Sequence, residues 1–354
     1  MKLHDIFSLR PESKASRYAW IDYAKGIAIV LVVYRHLAYG LVASGIVLPK
    51  QVLATNDMLY SFRMPLFFLL SGIFFSRSVG KRGPGTFLVN KVNTLLYPYL
   101  LWAVIQITLQ ILFSDYSNAT RSMADYLNIF IQPRKLDQLW YLFALFNVTM
   151  LYLLSSLTIK ERKAWQLVIG LALLGIAPYV QPISTFYDIA IHYIYFAIGD
   201  IASGYFFREE TQMRFSNPIN LLLLAPVFGL LQWYYLHHQQ MSLYVLMLIA
   251  LNGCLFVMML SSWLAKHQRM GFLSIIGHYS LYIYLLHITI FAVLRAVLMR
   301  IGISNGLVLL LTLIPTSIFL SIIAYRVLIQ LKCGWLFTGP FGQHNANNKT
   351  VLPS

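Results

Sequence analysis

The chain has 354 residues, 58% of them apolar and only 11% charged, where soluble domains average about 45–50% and about 25%. That balance excludes an ordinary soluble enzyme and points to a polytopic membrane protein: at about 20 residues per helical span, ten spans leave only short connections and no room for a sizeable second domain. Lys and Arg number 27 against 12 Asp and Glu, a formal charge of +15. In a membrane protein such an excess gathers on the cytoplasmic side, so it calls for no nucleic acid partner.

Residues 1–19 read as a cytoplasmic N-terminal segment carrying Lys2, Arg10, Lys14 and Arg17, and the apolar run that follows has no evident cleavage site. Long apolar runs then predict spans over 21–43, 58–77, 87–113, 139–158, 165–181, 186–207, 219–236, 242–264, 272–299 and 306–329. The expectation is an all-α membrane domain of about ten helices over 20–330, with a cytoplasmic tail over 331–354. With both termini inside, the outer segments hold only Lys50, Arg121, Arg134, Lys135 and Arg300, while most other basic residues fall inside. The longest connection, 114–138, lies outside and mixes Asp115, Asp125 and Asp137 with its basic residues, as a lid over an outer opening would. No internal repeat is visible, which counts against a transporter built from duplicated halves. Cys254 and Cys333 have neither disulfide nor metal-ligand spacing.

Ionisable residues within a span are costly and mark functional candidates. Lys25, Arg35, Arg63, Arg295 and Arg326 fall in this class. In the first span the 11-residue step from Lys25 to His36 returns to within about 20° of the same helix face, about 16 Å further along the axis. Asp22 shares that stripe, as N-cap or as a partner for Lys25. Counting about 1.5 Å per residue from the inner end of each span brings His36, Arg63 and His287 to a common depth of about 22 Å, with His192 close to that level. This predicts a polar chamber nearer the outer face. Bland alternatives stand beside it: His192 serves equally well as an interhelical hydrogen-bonding residue, Arg295 and Arg326 as snorkelling cations, and His278, His237 and His238 as interfacial residues. No His, Asp and Glu spacing forms a metal set, and Gly-x-Ser-x-Gly is absent.

Six ordered blocks resemble the membrane acyltransferase-3 family. They are Trp20-Ile21-Asp22-Tyr23-Ala24-Lys25-Gly26 followed by His36; Ser61-Phe62-Arg63-Met64-Pro65 running on to Ser71-Gly72; Leu96-Tyr97-Pro98-Tyr99; Leu139-Trp140-Tyr141 to Phe146; Phe196-Ala197-Ile198-Gly199-Asp200; and Ile276-Gly277-His278-Tyr279-Ser280 to His287. The likeness covers 20–330 and is strongest to the fucose 4-O-acetylase-like branch, which acts on exopolysaccharides and O-antigens. Two positions depart from the pattern: Arg35 stands where the family more often has a small residue, and His278 replaces a basic or polar residue.

The resemblance implies a bacterial inner-membrane enzyme that transfers an acetyl group from cytoplasmic acetyl-CoA to a sugar hydroxyl of a glycan or its lipid-linked precursor. Acetyl-CoA would be the donor substrate, with no tightly bound cofactor and no metal. Its phosphates would meet Lys25, Lys81, Arg82 and Lys91, with Arg77 nearby, and its pantetheine arm would follow the Lys25 to His36 stripe. His36 would serve as general base, Arg63 would stabilise the oxyanion, and His287 would orient the acceptor or carry a transient acetyl group. Arg35, Trp140, Tyr141 and His192 would bind the acceptor. The rival readings are a non-enzymatic glycan or small-molecule transporter, and an acyltransferase acting on a lipid or peptide.

Overall fold

The computed structural model describes residues 18–114, 121–159 and 163–342. Among these residues the elements are helical, with no strand. The chain order is α1 (Ala19–Ala43), α2 (Lys50–Met58), α3 (Arg63–Ile73), α4 (Phe75–Arg82), α5 (Pro84–Lys91) and α6 (Tyr97–Leu112), then a connection containing the single turn α7 (Asn128–Ile131). There follow α8 (Trp140–Ile159), α9 (Ala164–Val180), α10 (Ser184–Phe206), α11 (Glu209–Phe215), α12 (Pro218–His237), α13 (Leu243–Lys266), α14 (Phe272–His278), α15 (Ser280–Arg300) and α16 (Gly306–Gln330).

Helices occupy all ten predicted spans, and among the described residues eight stretches are long and apolar enough to cross a membrane. The two that fall short are α9, a shorter apolar helix of 17 residues, and α10, whose apolar run is interrupted by Asp188, His192 and Asp200. Most of the predicted N-terminal segment, and the tail beyond Gly342, lie outside the described residues.

Helix α1 runs through the middle of the bundle and packs against α3, α13, α14, α15 and α16. Lipid tails are as apolar as leucine, so helices in a membrane gain most from close backbone approach, which small residues permit. Two such approaches fix the core. A Cβ on Gly26 of α1 would lie 2.0 Å from the Leu273 carbonyl oxygen, and one on Gly277 of α14 would lie 1.7 Å from that of Asp22. Likewise a Cβ on Gly72 of α3 would meet the Phe196 oxygen at 2.1 Å, and one on Gly199 of α10 the Leu69 oxygen at 2.2 Å.

Two spans depart from regular α-helix. The second is broken between Met58 and Arg63, and helix already runs over Lys50–Met58, where the sequence suggests a connection. The third holds a π-helical turn at Val92–Leu96 between α5 and α6. Pro98 explains that turn: it has no N–H for the Thr94 carbonyl and its ring crowds the preceding turn, so the backbone widens there. The chain after α16 folds back onto the widened turn. Gly339 N donates to Asn93 O at 3.0 Å, and the Asn93 side chain exchanges two hydrogen bonds with the Phe341 backbone, at 2.6 and 3.0 Å. Trp102 Nε1 donates to Leu336 O at 2.8 Å. Part of the predicted tail is therefore a strap bound to the bundle.

Two smaller expectations are corrected. Tyr18, not Asp22, is the N-cap of α1, and Asp22 sits in the first turn. Arg295 does not snorkel outward: it is 7% exposed and donates to Gly40 O and Ser44 Oγ near the end of α1.

Candidate active site

At one end of the bundle, Val32, Arg35 and His36 of α1 face Tyr60 in the break of the second span, together with Arg63 and Met64 at the start of α3. Gln138, Trp140 of α8 and Tyr284 of α15 complete a chamber of about 60 Å³.

His36 is half-buried on the chamber wall, and its ring centroid lies 5.4 Å from that of the fully buried His287. His287 Nδ1 stands 2.8 Å from Ile283 O and 2.9 Å from Tyr284 O. Both are acceptors, so these bonds assign the hydrogen to Nδ1 and leave the lone pair of the neutral ring on Nε2. Nε2 is buried without a partner.

Arg63 is 1% exposed. Its Nη1 donates to Leu31 O at 2.7 Å and to Asn56 Oδ1 at 2.9 Å, and its Nη2 donates to Asn56 O at 2.8 Å. These bonds take up a carbonyl near the end of α2 and tie the broken span to α1, which is how the break is tolerated at membrane depth. Arg35 points to the chamber mouth, 3.5 Å from Asp57 Oδ1 and stacked on Tyr60 at 4.3 Å.

The other predicted acceptor residues separate. Trp140 lines the chamber. Tyr141 is turned into packing against Phe67, Phe68 and Tyr284. His192 sits behind Trp140, at 5.6 Å, stacked on Phe68 at 4.3 Å with Nδ1 on Asp188 O. Sequence reasoning missed Asn56, Tyr60, Gln138 and Tyr284. Only the polar Asn56 and Gln138, flanking spans two and four, offered any signal.

The segment before α8 covers this end. Arg134 pairs with the fully buried Asp188 of α10 at 2.5 Å and lies 4.8 Å from the Trp140 ring. Nearer the solvent, the Ser122 N–H bonds Asp125 and holds its carboxyl below the usual carboxylate range, with further help from Asn128 and Arg121.

At the opposite end of α1, Lys25 is half-buried and in no ion pair among the described residues. Lys91 lies within electrostatic range of both Lys25 and Arg82, and His278 within range of Asp22, Lys25 and Arg326. Lys25 thus has Asp22, Lys91 and His278 within electrostatic range, with Arg82 beyond Lys91 and Arg326 beyond His278. Arg77 stacks on Phe207 at 3.8 Å, and Lys81 and Arg82 are both exposed in the last turn of α4. A larger cleft, about 260 Å³, opens beside Trp20, Glu209, Gln212 and Lys266. It holds no histidine, and Trp20 is about 140° round the helix from Lys25, so this cleft is off the stripe that joins the two ends.

Residues 18–326 match the acyltransferase domain model of the acyltransferase-3 family. The chain belongs to that family and is a multi-pass membrane acyltransferase. Comparison with curated proteins and with solved structures finds no match.

Proposed function

We propose that this protein transfers an acetyl group from cytoplasmic acetyl-CoA to a sugar hydroxyl of a bacterial exopolysaccharide, an O-antigen or its lipid-linked precursor, within the inner membrane. One observation carries the reading. A single stripe of α1 joins a cation cluster around Lys25 to the paired imidazoles of His36 and His287, and a transporter has no need of that alignment.

In this reading Lys25, Lys91 and Arg82 hold the donor's phosphates. The thin pantetheine arm spans the roughly 16 Å to His36 and delivers the thioester to the chamber. A sugar hydroxyl enters past Trp140 and Arg35. His36 removes its proton as the oxygen attacks the thioester carbonyl carbon. The carbonyl electron pair moves onto oxygen, facing Arg63, then returns and breaks the C–S bond. The thiolate takes up the proton from His36, giving CoA and an O-acetyl sugar. His287, its tautomer set by two carbonyls, presents a lone pair beside His36 and orients either the base or the incoming hydroxyl.

Mass spectrometry of surface glycan from a deletion strain, complemented with wild-type protein or His36→Ala, tests the reading. Acetyl groups are expected to vanish on deletion and return only with the wild type. Full acetylation with His36→Ala would remove His36 as base, and a glycan unaltered by deletion would favour a transporter or a lipid or peptide acceptor.

A further inference from the structure

Asn56, in the last turn of α2, meets Arg63, the first residue of α3, across the broken span, and the two are 0% and 1% exposed. Three of the five guanidinium N–H groups are spent, on Asn56 Oδ1, Asn56 O and Leu31 O. All three acceptors are neutral, and among the described residues no carboxylate comes within ion-pair distance of Arg63. A buried guanidinium cannot shed its proton at neutral pH, so it stands here as a charge without a contacting counter-ion, a costly state for a fold.

An aspartate at position 56 would relieve that cost. It would offer the same Oδ1 at the same place, neutralise the charge, and remove the amide Nδ2, which is buried with no partner. The neighbouring Asp57 is a carboxylate, but it is turned outward to Arg35 at 3.5 Å and to the Tyr39 hydroxyl at 2.6 Å. The side chain that grips Arg63 is thus the uncharged one of the pair. Arg63 in turn lines the chamber with His36, and its Nε–H is buried without a partner.

We infer that Asn56 is a positioning residue that fixes Arg63 through neutral acceptors and so keeps the guanidinium charge for the oxyanion formed during acyl transfer. The inference rests on the acyl-transfer reading above. Holding the arginine with an amide sacrifices stability for a field aimed at the site where negative charge develops, and such preorganised donors act mainly on the chemical step.

The test is Asn56→Asp in the full-length chain, purified in detergent and assayed for CoA release from acetyl-CoA with de-O-acetylated host polysaccharide as acceptor. Expected are a kcat lowered about 100-fold, an unchanged KM for acetyl-CoA, and a melting temperature equal to or above that of the wild type. A merely structural Asn56 predicts an unchanged kcat, so a folded Asn56→Asp with wild-type kcat overturns the inference. Failure of this variant to accumulate also counts against it, because the argument requires a fold at least as stable. Arg63→Gln, which deletes the charge, is expected to lose kcat similarly, and wild-type turnover by that variant overturns the inference independently. If His36→Ala is fully active in the same assay, the acyl-transfer reading itself has failed, and the two failures are told apart.

Discussion

His36 and His287, carried by the first and ninth predicted spans, face each other with 5.4 Å between ring centroids. Only one of them reaches the chamber wall: His36 is half-buried there, whereas His287 is fully buried behind it with its Nδ1 hydrogen given to its own helix. In the proposed mechanism this exposure divides the labour, since a base must touch the acceptor while its neighbour sets the surrounding field.

Accordingly, His36→Ala is expected to lower acetyl transfer about 100- to 10,000-fold at equal protein in the membrane. His287→Gln, which keeps a polar group beside His36, is expected to lose less. Acetyl incorporation in membranes, normalised by immunoblot, reads both, and a greater loss from His287→Gln than from His36→Ala would exchange the two roles.

At the other end of α1, Lys25→Ala and Lys91→Ala are each expected to raise KM for acetyl-CoA about tenfold, the weight of one charge-assisted contact to phosphate, with kcat little changed. Lys81→Ala, which removes an exposed side chain on α4, is expected to leave KM as it is. Initial rates against acetyl-CoA concentration check the three together.

Close backbone approach makes a prediction about stability. A Cβ on Gly72 would lie 2.1 Å from a backbone oxygen of α10, while Gly204 has nothing within 4 Å. Gly72→Ala should cost about 1–3 kcal/mol or more through forced separation of α3 and α10, and Gly204→Ala should be neutral or slightly stabilising. Thermal melting in detergent separates them.

The ion pair over the chamber makes another. Arg134→Ala leaves the fully buried Asp188 without its cation, which should destabilise the fold by about 3 kcal/mol, since a lone buried charge is worse than a missing pair. Adding Asp188→Asn to Arg134→Ala should recover much of that loss, and a double variant no more stable than Arg134→Ala would refute the account.

Where the sequence read well, a local signal existed. The apolar runs are long enough to mark each span, and the helical repeat places Lys25 and His36 on one face without knowledge of any neighbour. Arg63 was visible as a charge at membrane depth, but its anchor was not. Asn56 lies in a stretch of ordinary polarity before the second apolar run, and the break there depends on carbonyls from α1 and α2 meeting one guanidinium. Tyr141 and Trp140 are adjacent in sequence, yet only Trp140 faces the chamber, a choice made by the packing of Phe67, Phe68 and Tyr284. Such placements are settled between distant helices, so no local pattern announces them.

The clasp between Asn93 and the backbone around Phe341 joins positions far apart in the chain. During synthesis the π-helical turn is made long before its mate exists, so these hydrogen bonds close only after the tenth predicted span has been made. A reporter fused immediately after α16 would catch the protein inserted but unfinished.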